Sequence, residues 1–149
     1  MEERNTEQWH EKAGQLGIVV IIPTYNNGKT LAAVIEDVLL YTKDIIIVND
    51  GSTDNTPAIL KNYPKLHIIT HPSNKGKGTA LKNGLKQAKA SGYRYAITID
   101  SDGQHFASDI PLFIEEIEKE PDVLLVGARN LTSDNMPGKN TFANKFSNF

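Results

Sequence analysis

The 149-residue sequence contains no cysteine, which excludes disulfide bonds and thiolate metal sites, so any bound metal needs oxygen or imidazole ligands. It also has no long apolar run. No run is longer than residues 18–22, which is far shorter than the roughly 20 residues that span a bilayer. The N-terminus is polar and has no signal-peptide pattern. These absences predict a soluble, cytoplasmic protein.

An excess of positive charge is absent as well. There are 16 basic and 18 acidic side chains, which give a formal net charge of −2. No summed positive field is available to hold a phosphodiester backbone, so nucleic acid is disfavoured as a partner. With 39% hydrophobic residues, the chain is nevertheless able to bury a core of single-domain size.

Short runs rich in Ile and Val alternate with helical patterns along most of the chain. This alternation predicts an α/β fold with a mostly parallel, doubly wound sheet and helices on both faces. The predicted strands are residues 18–22, 45–49, 67–70, 95–100 and 123–127. The predicted helices cover residues 31–39, 53–63, 80–88 and 110–117. We divide the chain into a polar leader (1–16), a core (17–129) and a polar tail (130–149).

The first strand leads into Gly28-Lys29-Thr30, the ending of a phosphate-binding loop. In that motif the first glycine would be residue 23, but residue 23 is proline. Proline lacks the backbone N–H and the freedom in φ that wrapping a phosphate needs. A phosphate-loop NTPase therefore remains only as an alternative.

In such a sheet, ligands bind beyond the carboxyl ends of the strands. Asp100 and Asp102 stand two apart at the end of the fourth predicted strand, so in an extended strand both carboxylates point to one face. Hard cations such as Mg²⁺ or Mn²⁺ prefer carboxylate oxygens and share them with substrate phosphates. His105 is a further candidate ligand. The alternative is a solvated turn, for which D-S-D-G is also typical.

The other predicted strand ends carry groups suited to a nucleotide. Asp50 is able to accept hydrogen bonds from a ribose or a base, or it belongs to an ordinary turn. The basic segment 74–78 suits phosphates ahead of a helix, or is a flexible loop. Tyr25 is placed to stack on a base or to pack beneath its loop. Arg129 is placed to bind a phosphate or to form a salt bridge.

Together these motifs resemble the family 2 inverting nucleotide-sugar glycosyltransferases, which have the GT-A fold. The resemblance covers residues 17–129 and rests on four ordered motifs: PTYN at 23–26, DGSTD at 50–54, NKGKGTA at 74–80 and DSD at 100–102. Within the family, the chain most resembles the polyprenyl-phosphate sugar transferases, because Gln104 and His105 follow the last motif. Asn27 departs from the family, in which many members have glutamate at this place.

The resemblance implies roles for particular residues. Asp100 and Asp102 would bind Mg²⁺ or Mn²⁺, and Asp102 and Arg129 would be catalytic. The nucleotide-sugar site would comprise Pro23, Tyr25, Asn26, Asp50, Ser52, Lys77, Asp100 and Gln104. Lys29 would merely begin the first core helix.

The resulting hypothesis is metal-dependent, inverting transfer of a sugar from a UDP- or GDP-sugar to a lipid-phosphate or saccharide acceptor. A lipid phosphate is already ionised near neutral pH and needs no protein base, which favours it as the acceptor. Because the family domain normally extends past residue 149, we expect a C-terminal continuation that supplies acceptor contacts and peripheral membrane association at the inner face. A nucleotide-binding module without catalysis is the alternative for the chain as it stands.

Overall fold

The protein is described by a computed structural model over residues 2–122. The chain divides into two compact units, Met1–Pro111 and Leu112–Phe149. The first unit contains all the strands of the described residues and the loops at their carboxyl ends. Within the second unit, the described residues comprise most of one helix and the turn that follows it. The predicted strand 123–127, Arg129 and the polar tail lie outside the described residues.

Four strands and five α-helices alternate along the described chain. In order, they are α1 (Glu2–Leu16), β1 (Ile18–Thr24), α2 (Leu31–Leu39), β2 (Ile45–Asn49), α3 (Thr56–Leu60), β3 (His67–Thr70), α4 (Lys77–Ala90), β4 (Tyr95–Thr98) and α5 (Ile110–Lys119), with a 3₁₀ turn at Ala107–Asp109. The four strands form one sheet in the order β3-β2-β1-β4. Every pairing is parallel, which confirms the predicted sheet type.

Both faces of the sheet are buried at β1 and β2, as their Ile- and Val-rich runs predict, whereas β3 and β4 are partly exposed. On one face, the strand residues Val19, Ile21, Ile46 and Val48 form a core cluster with Ala80 and Ala88 of α4. The alternate residues of β1 point to the opposite face and are equally buried. Helix α4 comes very close to the sheet at Gly84, where a Cβ atom would lie 2.7 Å from the Ile21 Cγ2 atom. Only glycine permits this approach without a shift.

Proline is rare within a central strand because it cannot donate to the sheet, yet Pro23 lies within β1. The pairing explains why it is tolerated. The backbone groups of Val20 and Thr24 form hydrogen bonds on the side of β2, whereas the Ile21 carbonyl accepts one on the side of β4. Because these groups alternate in direction along a strand, the backbone nitrogen of Pro23 is on the same side as Ile21, toward β4. Pairing with β4 ends at Ile21, so no strand N–H···O bond is lost at Pro23.

Several predicted boundaries were wrong in ways that follow from tertiary packing. Strand β1 extends to Thr24, which pairs with Asn49. Strand β4 ends at Thr98, so Asp100 lies in the turn beyond it rather than in the strand. The predicted helix 53–63 shrinks to α3, with Pro57 in its first turn as expected.

The polar leader folds as helix α1, which the sequence patterns did not indicate. Its Ala13 is fully buried. A ring nitrogen of His10 makes a 2.7 Å hydrogen bond with the Leu39 carbonyl. Within residues 2–122, no helix combines the length and apolarity needed to cross a membrane.

Candidate functional site

The candidate site lies at the carboxyl edge of the sheet, within the first unit. Because all four strands are parallel, the loops that follow them emerge at the same edge. Three of these loops begin at Tyr25, Asp50 and His71, and the fourth contains Asp100. The predicted site residues within the described part lie on these loops, at the end of β1 or at the start of α4.

The β1 and β2 loops are held together by Asn26. Its backbone has φ 52°, a left-handed conformation that asparagine tolerates better than most residues. Its Oδ1 accepts hydrogen bonds from the Thr53 N–H at 2.7 Å and the Asp54 N–H at 3.2 Å. Its own N–H donates to the Ser52 Oγ at 3.0 Å. The predicted donor-binding residues Asn26 and Ser52 thus contact each other.

The Gly28 N–H points at a carboxylate, since it donates to the Asp54 Oδ2 at 2.9 Å. Hydrogen bonds from Thr56, and from the Gly28 backbone, hold the pKa of Asp54 below its ordinary value of 3.8. In a phosphate-binding loop this N–H would instead face a phosphate oxygen. A fixed negative charge here would repel a triphosphate, which argues against the NTPase alternative.

Asp50 fastens the loop that precedes α4. Its side chain is only 3% exposed. Its Oδ1 accepts from the Lys75 N–H at 2.8 Å and its Oδ2 from the Gly76 N–H at 2.8 Å. Burial raises the pKa of Asp50, but hydrogen bonds from His71, Lys75 and Gly76 outweigh it and leave the pKa lowered. The carboxylate is therefore held ionised inside the protein.

His71 links Asp50 to helix α4. Its Nδ1 lies 2.7 Å from the Asp50 Oδ1, and its Nε2 lies 2.8 Å from the Asn83 Nδ2. Because the Asn83 amide donates to Nε2, the ring proton is on Nδ1 and is donated to Asp50. The His71 and Asp50 side chains are 5% and 3% exposed, whereas Asn83 is half-buried.

Gly51 allows this loop to pass close to the end of β2. It has φ +69°, and a Cβ there would lie 2.4 Å from the Ser73 carbonyl carbon and 2.6 Å from the Asn74 nitrogen. Both the conformation and the contact demand glycine. The Gly of the DGSTD motif is thus explained by backbone packing.

Lys77, the first residue of α4, contacts the DSD motif directly. Its Nζ lies 2.6 Å from the Asp100 Oδ1. On the other side, the Asp100 N–H donates to the His105 Nδ1 at 3.0 Å, and the His105 Nε2 lies 3.8 Å from the Asp100 Oδ2. Lys77, predicted for the nucleotide-sugar site, and Asp100, predicted to bind the metal, are therefore in direct contact.

The turn that carries Asp102 is tied to the β1 loop through the middle residue of the motif. Ser101 is 1% exposed; its Oγ accepts from the Asn27 Nδ2 at 2.7 Å, and its carbonyl accepts from the Thr30 Oγ1 at 2.6 Å. Asp102 is exposed and its Oδ1 accepts from the Gln104 N–H at 2.9 Å. Asn27, the departure from the family pattern, therefore has a structural partner.

A divalent cation suits the chemistry of these residues. Asp100 and Asp102 offer carboxylate oxygens on a solvent-facing turn, with the Asp100 side chain 26% exposed. Within the described residues, no group of three or more His, Cys, Asp or Glu side chains could hold a metal ion. A Mg²⁺ or Mn²⁺ ion at these two carboxylates would therefore need further oxygen ligands, such as substrate phosphates and water.

The remaining predicted residues differ in accessibility. Tyr25 is 44% exposed, and its hydroxyl has no hydrogen-bond partner within the described residues. Pro23 and Asp50 are buried. Contact of these residues, and of Asn26, Ser52 and Gln104, with a nucleotide sugar stays a prediction.

His71, Asn83, Ser101 and Thr30 were not singled out from the sequence. Two of them had a usable signal. His71 directly follows a predicted strand, at the edge where ligands bind, and Ser101 lies between the two predicted metal ligands. The Asn83–His71 and Thr30–Ser101 hydrogen bonds join residues that are 12 and 71 positions apart in the chain, so local patterns do not reveal them.

Comparison with known proteins identifies relatives of this chain. Residues 19–143 match the family described as Glycosyl transferase family 2. A UDP-N-acetylglucosamine–dolichyl-phosphate N-acetylglucosaminyltransferase from Methanococcus voltae is 38% identical over 129 residues, covering 75% of this chain and 51% of that protein. A dolichyl-phosphate beta-glucosyltransferase from Saccharomyces cerevisiae is 31% identical over 126 residues, covering 74% and 37%. The chain spans about half the length of the first curated relatives it matches.

Among solved structures, glucosyl-3-phosphoglycerate synthase from Mycobacterium tuberculosis, in complex with Mn²⁺ and UDP-glucose, superposes with a TM-score of 0.62. The sequences are 20% identical, and the match covers 79% of this chain and 45% of the synthase. At this identity the similarity concerns the fold, and it confirms the GT-A architecture.

Proposed function

The chain belongs to glycosyl transferase family 2, and from this premise we propose that it carries the donor site of a glycosyltransferase that uses a nucleoside-diphosphate sugar. The observation that carries the proposal is the 2.6 Å contact between Lys77 and Asp100 at the carboxyl edge of the sheet. In this contact, a cation that would suit a diphosphate lies beside a carboxylate that would suit a metal ion, and an aromatic side chain, Tyr25, lies at the same edge.

Each exposed side chain of the site has a role in this proposal. Tyr25 stacks on the nucleoside base. Lys77 binds the diphosphate, and the N-terminus of α4 adds its unpaired N–H groups. Pro23, Asn26, Asp50, Ser52 and Gln104 complete the nucleotide-sugar site, partly by holding the loops that carry the exposed groups.

Asp100 and Asp102 would hold Mg²⁺ or Mn²⁺. When bound, such an ion neutralises the negative charge that develops on the leaving diphosphate. The anchored Ser101 keeps the two aspartates in place on their turn. Mn²⁺ in the solved structure of the synthase supports the choice of ion. Arg129, outside the described residues, is proposed as a second phosphate ligand and a catalytic residue.

For the acceptor we propose a polyprenyl phosphate, with inversion at the anomeric carbon. The dolichyl-phosphate transferases among the relatives support this class. A phosphate oxygen is ionised near neutral pH and attacks without a general base. The carboxylates of Asp50 and Asp54 already accept hydrogen bonds from the protein, so neither is available as a base for a hydroxyl acceptor. Membrane association of the whole protein at the inner face is part of the same proposal.

The test is calorimetric titration of the chain with UDP, GDP and ATP, each in Mn²⁺ and in EDTA. We expect UDP or GDP to bind in Mn²⁺ and to bind at least about tenfold more weakly in EDTA, because bridging metal contacts are lost. Asp102→Ala should reproduce the EDTA result in the presence of Mn²⁺. Lys29→Ala is the matched control and should leave the affinity unchanged.

Two outcomes would contradict the proposal. Preference for ATP that survives Asp102→Ala but fails in Lys29→Ala would favour the phosphate-loop NTPase. If UDP or GDP binds in a metal-dependent way but no sugar is transferred to a short polyprenyl phosphate, the alternative of a nucleotide-binding module without catalysis is favoured.

A further inference from the structure

The oxygens of Asp100 face cationic or protonated groups of the protein itself. The Lys77 Nζ contacts the Oδ1 at 2.6 Å. Because the His105 Nδ1 accepts the Asp100 N–H, its ring proton is on Nε2, which faces the Oδ2 at 3.8 Å. The carboxylate is thus approached from both sides by donors.

A metal ion and the lysine ammonium cannot occupy the same side of this carboxylate. Mg²⁺ binds oxygens at about 2.0–2.1 Å, inside the distance at which the ammonium now contacts the Oδ1. Even where both could contact the carboxylate, a unit charge about 4 Å from a divalent ion repels it strongly. Metal binding at the Oδ1 of Asp100 therefore requires the ammonium to leave, and binding at the Oδ2 is opposed by its charge.

The lysine is free to move without disturbing its surroundings. Its side chain is 59% exposed and lies on a flexible four-carbon stem. The preceding residue, Gly76, is fixed through its N–H to the buried Asp50 carboxylate, so the backbone position of Lys77 is set independently. Only side-chain torsions need to change.

We propose that Lys77 is a competitor of the metal ion for Asp100, and that a diphosphate relieves the competition by drawing the ammonium to itself. Metal and nucleotide then bind cooperatively through Lys77, in addition to any direct contact between them. By thermodynamic linkage, each ligand strengthens the binding of the other by the same factor. This inference rests on the proposed metal and donor site.

The direct test is a titration of the protein with Mn²⁺ in the absence of nucleotide, in which the electron paramagnetic resonance signal of free Mn²⁺ reports how much remains unbound. Lys77→Met keeps much of the side-chain volume and removes the charge. We expect it to bind Mn²⁺ about tenfold more tightly than the wild type, since the repulsion and the ion pair are both removed. Combining Lys77→Met with Asp100→Asn should abolish the gain.

Lys82→Met is the matched control. It removes the same charge from an exposed position on the same helix, and Lys82 has no ion pair within the described residues. Its effect on Mn²⁺ affinity should stay below about twofold, because exposed charges at longer range are screened. A general effect of net charge would instead raise the Mn²⁺ affinity of Lys77→Met and Lys82→Met equally.

The second measurement repeats the titration with saturating UDP. The factor by which UDP tightens Mn²⁺ binding should be about tenfold smaller in Lys77→Met than in the wild type. The inference is overturned if Lys77→Met binds Mn²⁺ no more tightly than the wild type, or if neither binds it. If Mn²⁺ binds but UDP does not, the result counts against the proposed function. The comparison of Mn²⁺ affinity between the wild type and Lys77→Met without nucleotide would still decide the role of Lys77.

Discussion

Replacing Asp50 by asparagine should destabilise the protein through the loop that it fastens. The carboxylate is 3% exposed and accepts hydrogen bonds from Lys75, Gly76 and His71. An asparagine side chain has one acceptor oxygen, so whichever way the amide is turned, at least one of these donors faces an NH₂ group. With the NH₂ group at the Oδ2 position, the Gly76 N–H still has the Asn74 Oδ1 at 2.9 Å, so the loss is smaller than for a donor without any partner. Because hydrogen bonds to a buried charged group contribute about 1.5–3 kcal/mol and part of this is retained, we expect about 1–2 kcal/mol of lost unfolding free energy for Asp50→Asn at pH 7.

The effect should depend on pH with a definite sign. The pKa of Asp50 is lowered in the folded protein from its ordinary value of 3.8. A group with a depressed folded pKa contributes stability above its unfolded pKa, and this contribution is lost as the pH falls through the folded pKa. The difference between wild type and Asp50→Asn should therefore be constant near neutrality and shrink below about pH 4.

Urea denaturation followed by circular dichroism, from pH 7 down to pH 3, measures both quantities. Asp54→Asn is the matched control, because Asp54 also has a lowered pKa and two backbone partners but lies exposed. Its cost should be clearly smaller, since water replaces lost partners at an exposed site. Equal losses for the two variants, or a loss at Asp50 that does not vary with pH, would refute the assignment of Asp50 as a buried, ionised anchor.

Two further predictions concern packing and the aspartate turn. Gly84→Ala should lower the unfolding free energy by about 1–2 kcal/mol in urea denaturation, because overpacking against Ile21 exceeds the gain in helix propensity. Gly14→Ala, with nothing within 4 Å of the new Cβ, should stabilise instead, and destabilisation by both would contradict the packing explanation. Thr30→Val should weaken Mn²⁺-dependent UDP binding several-fold in calorimetry, because the Ser101 carbonyl loses its 2.6 Å bond. Thr30→Ser should retain the affinity, and an equal loss in both would refute the hydrogen-bond role.

The parts of the fold that were predictable from sequence are those in which hydrophobic pattern and burial agree. Strands β2 and β3 have the predicted bounds, because each apolar run is bracketed by polar turns. Helix α1 was missed since its sequence is largely polar. Its buried side includes Ala13, the half-buried Trp9 and Leu16, and the His10 bond to the Leu39 carbonyl. Trp9, Ala13 and Leu16 stand at helical spacing, but three such residues in a charged segment are a weak signal.

The end of β4, just before the two aspartates, was predicted wrongly for a different reason. The apolar run was extended to Asp100, but β4 ends at Thr98. Its partner β1 continues beside β2, while the chain after β4 turns so that Ser101 reaches Asn27 and Thr30. Side-chain hydrogen bonds across 70 or more residues end the strand, and no local propensity encodes them.

The motif residues divide into two physical groups that the sequence alone does not separate. Asn26, Asp50 and Ser52 hold loops together, whereas Tyr25, Lys77 and Asp102 are exposed at the same edge. The loop-holding group, of which only Asp50 is buried, fixes the backbone from which the other group extends, most directly where Asp50 binds the Gly76 N–H next to Lys77. Substitutions in the first group should therefore change stability and ligand affinity together, while substitutions in the second should change affinity with little effect on stability.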